Sequence, residues 1–189
     1  MLKAVLSRKD LSENEGYFHL VRDLLADKNV LRLAQFSHHS GTTRLQHSLN
    51  VSYYNYKLCH LLHLDERAGA RAGLLHDLFF YDRREHTPVE GEGWHGVGHP
   101  KIAFFNASEL FELSQVEGDM IANHMWPLTP RLPRYRETYV ITLVDKFCAC
   151  AEVISHFLSL AVKSFHFAGQ KLRGAEVFAL MLLIRLTLR

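Results

Sequence analysis

The sequence has little of what would mark a specialised class. Its three cysteines, Cys59, Cys148 and Cys150, are an odd number without paired CxxC spacing, so neither a disulfide framework nor a zinc ribbon is indicated. Lys+Arg 22 against Asp+Glu 20 leaves a net charge of +2, too small to make nucleic acid or an anionic membrane the expected partner. The longest apolar run, Val177 to Ile184, falls far short of the roughly 20 residues that cross a bilayer. The N-terminal stretch Met1 to Asp10 turns charged before an apolar segment of signal-peptide length develops, so the expected location is the cytoplasm. No run of alternating β-branched residues argues for a strand. What remains, 189 residues with 48% hydrophobic and 22% charged side chains, reads as one soluble all-α domain with a core of its own.

Helix signals divide the chain. Ser12 to Glu15 has capping-box spacing ahead of Tyr17, Leu20, Val21, Leu24 and Leu25. Asn29 is the expected cap of a short second helix, which ends in the polar stretch Ser37 to Thr43. Thr42 or Thr43 is expected to cap a third helix through His60, and Asp65 a fourth through Phe79. Asp82 to Gly98, with four glycines and a proline, reads as a long loop, and Pro100 as the first turn of the next helix. Ser114 and Glu117 form a second capping box opening a helix towards His124, which two prolines, Pro127 and Pro130, then stop. Glu137 to Leu160 reads as one long helix. The expected layout is N-terminal helices over 1–38, a core over 39–160 and a helical extension over 161–189, all one domain.

Against these absences stand 13 histidines. Imidazole has few structural uses and a strong aptitude for proton transfer and metal binding. His47, the pair His76-Asp77, His99, His124 and Asp145 each fall within or beside a different expected helix. Helical bundles build metal sites this way, by projecting imidazoles and carboxylates inward from facing elements. Four imidazoles and two carboxylates suit two divalent ions. Adjacent helical residues point about 100° apart, which lets His76 serve one ion while Asp77 bridges to the other. Imidazole admits Fe, Co, Ni and Zn and the carboxylates add Mn, so this donor set does not name the metal. His19, His60, His63, His86, His156 and His166 read as packing or surface residues, and buried Cys148 and Cys150 as inert thiols.

The order His47, His76-Asp77, Asp145, in the segments RLQHSLNVSYY, AGLLHDLFFYD and TLVDKF, resembles the HD-domain superfamily of metal-dependent phosphohydrolases. GHPKIAF with His99 and ANHMW with His124 resemble its two-metal branch. The resemblance spans residues 39 to 157. It implies an HD-like helical bundle, a metal pair and hydrolysis of a phosphate ester or anhydride, with a layout similar to enzymes that cleave symmetrical dinucleoside tetraphosphates. Three family signatures are missing. Phe80 stands where many members place Lys, Phe80-Tyr81 replaces the Glu-Asp pair of alarmone hydrolases, and no Gly-Tyr-Pro of the cyclic-dinucleotide members occurs.

Paired metals would activate water for in-line attack on phosphorus, with Asp77 as their bridge and no side-chain nucleophile. Arg44, three residues before His47 on the same helical face, is the expected phosphate clamp. Lys146, beside Asp145, and the loop residues Arg131, Arg134 and Arg136 are further cations for substrate. His39 is placed to protonate a leaving oxygen, and His38 is divided between substrate contact and a solvated loop. Trp126 and Pro127 offer an apolar wall for a base. His95 competes with His99 as ligand, and Pro100 favours His99. The expected partner is a small phosphorylated substrate, with a homodimer contact open to the segment from Lys163 onward. Two other readings remain: a di-iron oxygenase, since the donor set also resembles that branch of the superfamily, and a silent regulatory module whose metals staple helices.

Overall fold

In the computed structural model of the chain, α-helices begin in five cases at a residue whose side chain caps them. The structure describes residues 3–5, 7, 10–38, 41–83, 85–87 and 93–187, with side chains up to residue 161. Among these described residues there are seven α-helices: α1 (Glu15–Ala26), α2 (Lys28–Arg32), α3 (Arg44–Leu61), α4 (Glu66–Leu75), α5 (His95–Leu110), α6 (Gln115–Asn123) and α7 (Arg136–Thr187). Among the described residues there is no strand, only an isolated bridge between Ser37 and Thr43. The all-α class is as expected. No helix among the described residues is long and apolar enough to cross a membrane.

Several caps differ from the sequence expectation. Asp10, which caps a 3-10 turn over Leu11–Glu13, accepts bonds from the Ser12 amide at 3.0 Å and the Ser12 hydroxyl at 2.7 Å. With its hydroxyl committed there, Ser12 caps nothing, and Asn14 caps α1 instead by accepting from the Tyr17 amide. Asp27 rather than Asn29 caps α2, because its carboxylate reaches the amides of both Asn29 and Val30. Thr43 and Asp65 cap α3 and α4 as expected, and both bonds of the Ser114–Glu117 box are made. Helix α4 stops at Leu75, a turn short of Phe79, which puts His76 at its C-cap and Asp77 just beyond. Helix α5 starts at His95, so Pro100 lies inside it rather than in its first turn. The proline removes one backbone bond, the one Gly96 would accept, and the helix continues through it.

The chain divides into two units, Met1–Glu152 and Val153–Arg189. In the first, α3 and α4 form the central contact, with α1 and α6 also packed on α4. Glycines set that closeness: a Cβ on Gly73 would fall 2.6 Å from the Ser52 Cα, and one on Gly69 would fall 2.9 Å from the Cys59 sulfur. Tyr17, Val21, Leu24, Leu49, Val51, Leu74, Leu75, Met120 and Ile121 fill the surrounding core. Burying one such side chain is worth roughly 1.5–3 kcal/mol. In the second unit Ile154, Phe157 and Leu158 are exposed. The dimer contact open to the segment from Lys163 concerns side chains that lie outside the described residues.

Candidate metal centre

Six side chains spread over 98 residues of sequence meet at one place: His47 of α3, His76 and Asp77 at the end of α4, His99 of α5, His124 at the end of α6 and Asp145 of α7. All but Asp145 are at least nine-tenths buried. Asp145 Oδ1 lies 3.0 Å from His47 Nε2 and 3.7 Å from His76 Nε2. Asp77 turns its two oxygens in different directions. Its Oδ1 lies 3.4 Å from His99 Nε2 and 4.0 Å from His124 Nε2, while its Oδ2 lies 3.8 Å from His76 Nε2. Two donor groups share this carboxylate, His47, His76 and Asp145 on one side and His99 and His124 on the other.

Local helix structure aims the imidazoles. The Nδ1 of His76 lies 2.9 Å from the Gly73 carbonyl, that of His99 2.7 Å from the His95 carbonyl and that of His124 2.9 Å from the Ile121 carbonyl. A carbonyl only accepts, so each Nδ1 carries a proton and Nε2 is the atom left to carry a lone pair. His99 and His124 then point those lone pairs at one another across 3.0 Å. Both rings are held neutral: burial first, then neighbouring histidines, push His124 down to about 3, and burial likewise lowers His99. Facing lone pairs repel and attract a cation. The Nε2 of His76 is also buried and without a hydrogen-bond partner. Nε2 ligands whose Nδ1–H is fixed by a backbone carbonyl are the usual arrangement of metal-binding histidines, so these residues fit divalent ions.

His47 differs because carboxylates flank both its nitrogens: Asp145 Oδ1 at Nε2 and Glu152 Oε1 at Nδ1, each at 3.0 Å. Burial opposes its charge, but the bonds to Asp145 and Glu152 outweigh burial and lift it to about 10. Burial works against the charge of Asp145 and Asp77 too. The hydrogen bond from His47 at Asp145, and the neighbouring His76 imidazole with the His38 bond at Asp77, hold both carboxyls well below the ordinary range. Glu152, also opposed by burial, is brought down to about 2 by His38, His47 and Asn50.

Two participants escaped the sequence reading. Glu152 follows Asp145 by seven residues, two helical turns, which returns it to the same face of α7; that spacing was its only sequence signal. Asn50 Nδ2 donates to Glu152 Oε1 at 2.6 Å, fixing the carboxylate against His47. His38 lies 3.6 Å from Asp77 Oδ2 and 3.8 Å from Glu152 Oε2, stacked on the His47 ring at 3.9 Å between centroids. Metal-sized groupings of ligand atoms are thus His47, His76 and Asp145; His76, Asp77 and His124; and His38, His47 and Glu152.

The cluster forms the floor of a cavity of about 420 Å³ lined also by Arg44, Phe79, Arg83, Trp94, Met125 and Lys146. Lys146 lies 3.7 Å from Asp145 with its side chain half exposed. Arg44 is almost wholly buried. Its two terminal nitrogens donate to the Phe79 carbonyl at 2.7 Å and the Tyr81 carbonyl at 3.1 Å, and its guanidinium lies 3.6 Å from the Phe79 ring centre. Trp126 is not part of the lining; it packs edge-on against Tyr139, with ring centres 5.4 Å apart. His95 lines the cavity one turn from His99, and the ligand groupings above contain neither of the two. His39 lies outside the described residues. Arg131 and Arg134 line a separate, larger groove beside α6.

Comparison with known proteins finds no matching family model, no similar curated protein and no similar solved structure.

Proposed function

We propose that the chain is a metal-dependent phosphohydrolase with an HD-like core, acting on a phosphate ester or anhydride. The observation that supports this most directly is the pair of neutral imidazoles, His99 and His124, whose Nε2 atoms face each other at 3.0 Å with both Nδ1 protons committed to carbonyls. His47, His76 and Asp145 would hold one ion, His99 and His124 the other, with Asp77 shared. Divalent ions held there would supply a water of lowered pKa and Lewis-acid neutralisation of phosphoryl charge. The protein's own contribution is positioning. Glu152 and Asn50 hold His47, and backbone carbonyls hold the other three imidazoles. Lys146 and Arg83 at the cavity wall favour an anionic substrate, which weighs against the oxygenase reading. Arg44, with two donors on the Phe79 and Tyr81 carbonyls, serves as a positioning residue for the segment after Asp77. Three free cysteines agree with work in a reducing cytoplasm.

The test is elemental analysis of the untreated protein together with phosphate release from nucleotides, dinucleoside polyphosphates and sugar phosphates. Bound divalent metal with phosphate release supports the reading. Iron with no release from any of them supports an oxygenase instead, and metal with neither activity supports a silent module. Asp77→Ala should remove both ions and His124→Ala only one; equal loss in the two variants would overturn the division of ligands.

A further inference from the structure

The second unit carries an apolar seam with a period of its own. From Ile154, alternate steps of four and three residues run through Leu158, Ala161, Phe165 and Leu172 to Ala175; all seven positions reached are apolar, against four of the fifteen between them. Such a contrast marks a face rather than a generally apolar segment. The steps average 3.5 residues, the repeat that keeps one stripe of a helix turned to a partner helix along a left-handed supercoil, and they continue on apolar residues to Leu186, more than four heptads in all. The backbone meets what the pattern requires, since α7 is helical from Arg136 to Thr187. Where its side chains are described the seam is open: Ile154 is 58% and Leu158 62% exposed. Gly169 and Gly174 each cost about 1 kcal/mol of helix propensity. A helix so weakened draws its stability from packing of its apolar face.

The residues beside the seam select the occupant. With Leu158 and every seventh residue after it as heptad a, position g holds Phe157, Ser164, Lys171 and Phe178, and position e holds Val162, Gly169, Glu176 and Leu183. In a parallel, in-register pair of identical helices each g residue meets the e residue five positions further on in the partner. Phe157 then meets Val162, Ser164 meets Gly169, Lys171 meets Glu176 and Phe178 meets Leu183. Apolar faces apolar, small faces small, and the one charged pair has opposite signs and occurs twice by the symmetry of a dimer. An antiparallel pair sets g against g and e against e, and neither set holds an opposite charge for Lys171 or Glu176. We propose that the second unit joins two copies of this chain as a parallel, in-register coiled coil. The pairing does not depend on the phosphohydrolase reading, because none of its residues lines the metal-site cavity.

Sedimentation equilibrium of the full chain tests the pairing and should give twice 21.8 kDa. Leu158→Asp and Leu172→Asp, which set a charge on the seam, should each give 21.8 kDa, with an unchanged melting transition of the first unit showing that it stays folded. Lys171→Glu should raise the dimer dissociation constant roughly 3- to 30-fold, because two symmetry-related pairs change at once, and adding Glu176→Lys should bring it back. Direction is read by Ala161→Cys and Ala175→Cys, each combined with Cys150→Ser so that the remaining native thiols are buried. Both should give disulfide-linked dimers on mild oxidation, since an in-register parallel seam sets every position opposite its own copy. A disulfide in only one of them would reveal an antiparallel pair, whose axis passes a single position, and would overturn the proposal. A dimer left intact by both aspartate variants would place the contact elsewhere and overturn it too. So would a mass of 21.8 kDa at every concentration, and sedimentation of that monomer with phosphatidylglycerol vesicles would give the face to a lipid surface instead.

Discussion

Charge and hydrogen bonding at single residues divide the cavity's side chains into those that would meet a metal and those that hold others in place. Arg44 sits on the side of α3 that carries His47, which made it attractive as a phosphate clamp. The structure occupies its terminal nitrogens with two carbonyls and presses its plane on Phe79. Charge-assisted bonds of this kind are worth about 1.5–3 kcal/mol each, and a lysine ammonium cannot reproduce the fork. Arg44→Lys should therefore lower unfolding stability by about 2 kcal/mol in urea titrations; unchanged stability with weakened substrate binding would restore the clamp. Glu152 touches His47 from behind, at the nitrogen facing away from Asp145. Carboxylates so placed raise ligand basicity and fix ring orientation, and losing one costs 10–100-fold in metal affinity. Glu152→Gln should show that loss in chelator competition with the fold intact. His47 and Asp145 announce themselves as polar residues within apolar helical segments. Glu152 does not, because a glutamate late in a long helix is ordinarily a solvated side chain.

Elements differ in how closely they must approach. Helix α4 delivers His76 and Asp77 from its C-terminal end, and its separation from α3 is set by Gly73, whose added Cβ would meet Ser52 main-chain atoms at 2.6 and 2.8 Å. Backbone cannot move aside as a side chain can. Gly73→Ala should cost about 3 kcal/mol by overpacking and should reduce bound metal as the α4 end shifts. By contrast, a Cβ on Gly118 of α6 meets only the tip of the Phe104 ring, at 3.1 Å, and Phe104 is partly exposed. Gly118→Ala should be neutral or stabilising through helix propensity, by up to about 1 kcal/mol. Thermal unfolding of the two variants side by side checks the contrast, and equal effects would refute it. Caps were legible where one candidate stood alone, as with Asp65 and Ser114, and at α3 the structure chose Thr43 over its neighbour Thr42. At α1 and α2 the expected caps Ser12 and Asn29 were displaced, because Asp10 engages the Ser12 hydroxyl and Asp27 reaches the Asn29 amide. The start of α5 was hidden because proline is commonest in a first turn, and here it sits a turn later.

For the whole first unit, a cluster of buried imidazoles and carboxylates drawn from five helices is costly without something to neutralise it. A ligand that binds only the folded state adds about 2.7 kcal/mol at 100 times its dissociation constant. Stripping metal with EDTA should therefore lower the melting temperature by about 5–10 °C for a unit of this size, and readdition of the native metal should restore it. A melting temperature indifferent to both treatments would show that the cluster does not bind metal in the folded protein.

The sequence by itself determined the all-helical class, most helix boundaries and the set of ionisable residues able to form a metal site. Those follow from periodicity, capping chemistry and the cost of isolated polar groups in apolar helices, all local properties. Only the tertiary structure decided which of them meet. It brought His38 and Glu152 to the cluster, occupied Arg44 with carbonyls, and placed Trp94 rather than Trp126 at the cavity rim. The physical reason is that direction and distance between helices depend on packing at points such as Gly69 and Gly73, where the absence of one carbon sets what can touch, and no local rule carries that information along the chain.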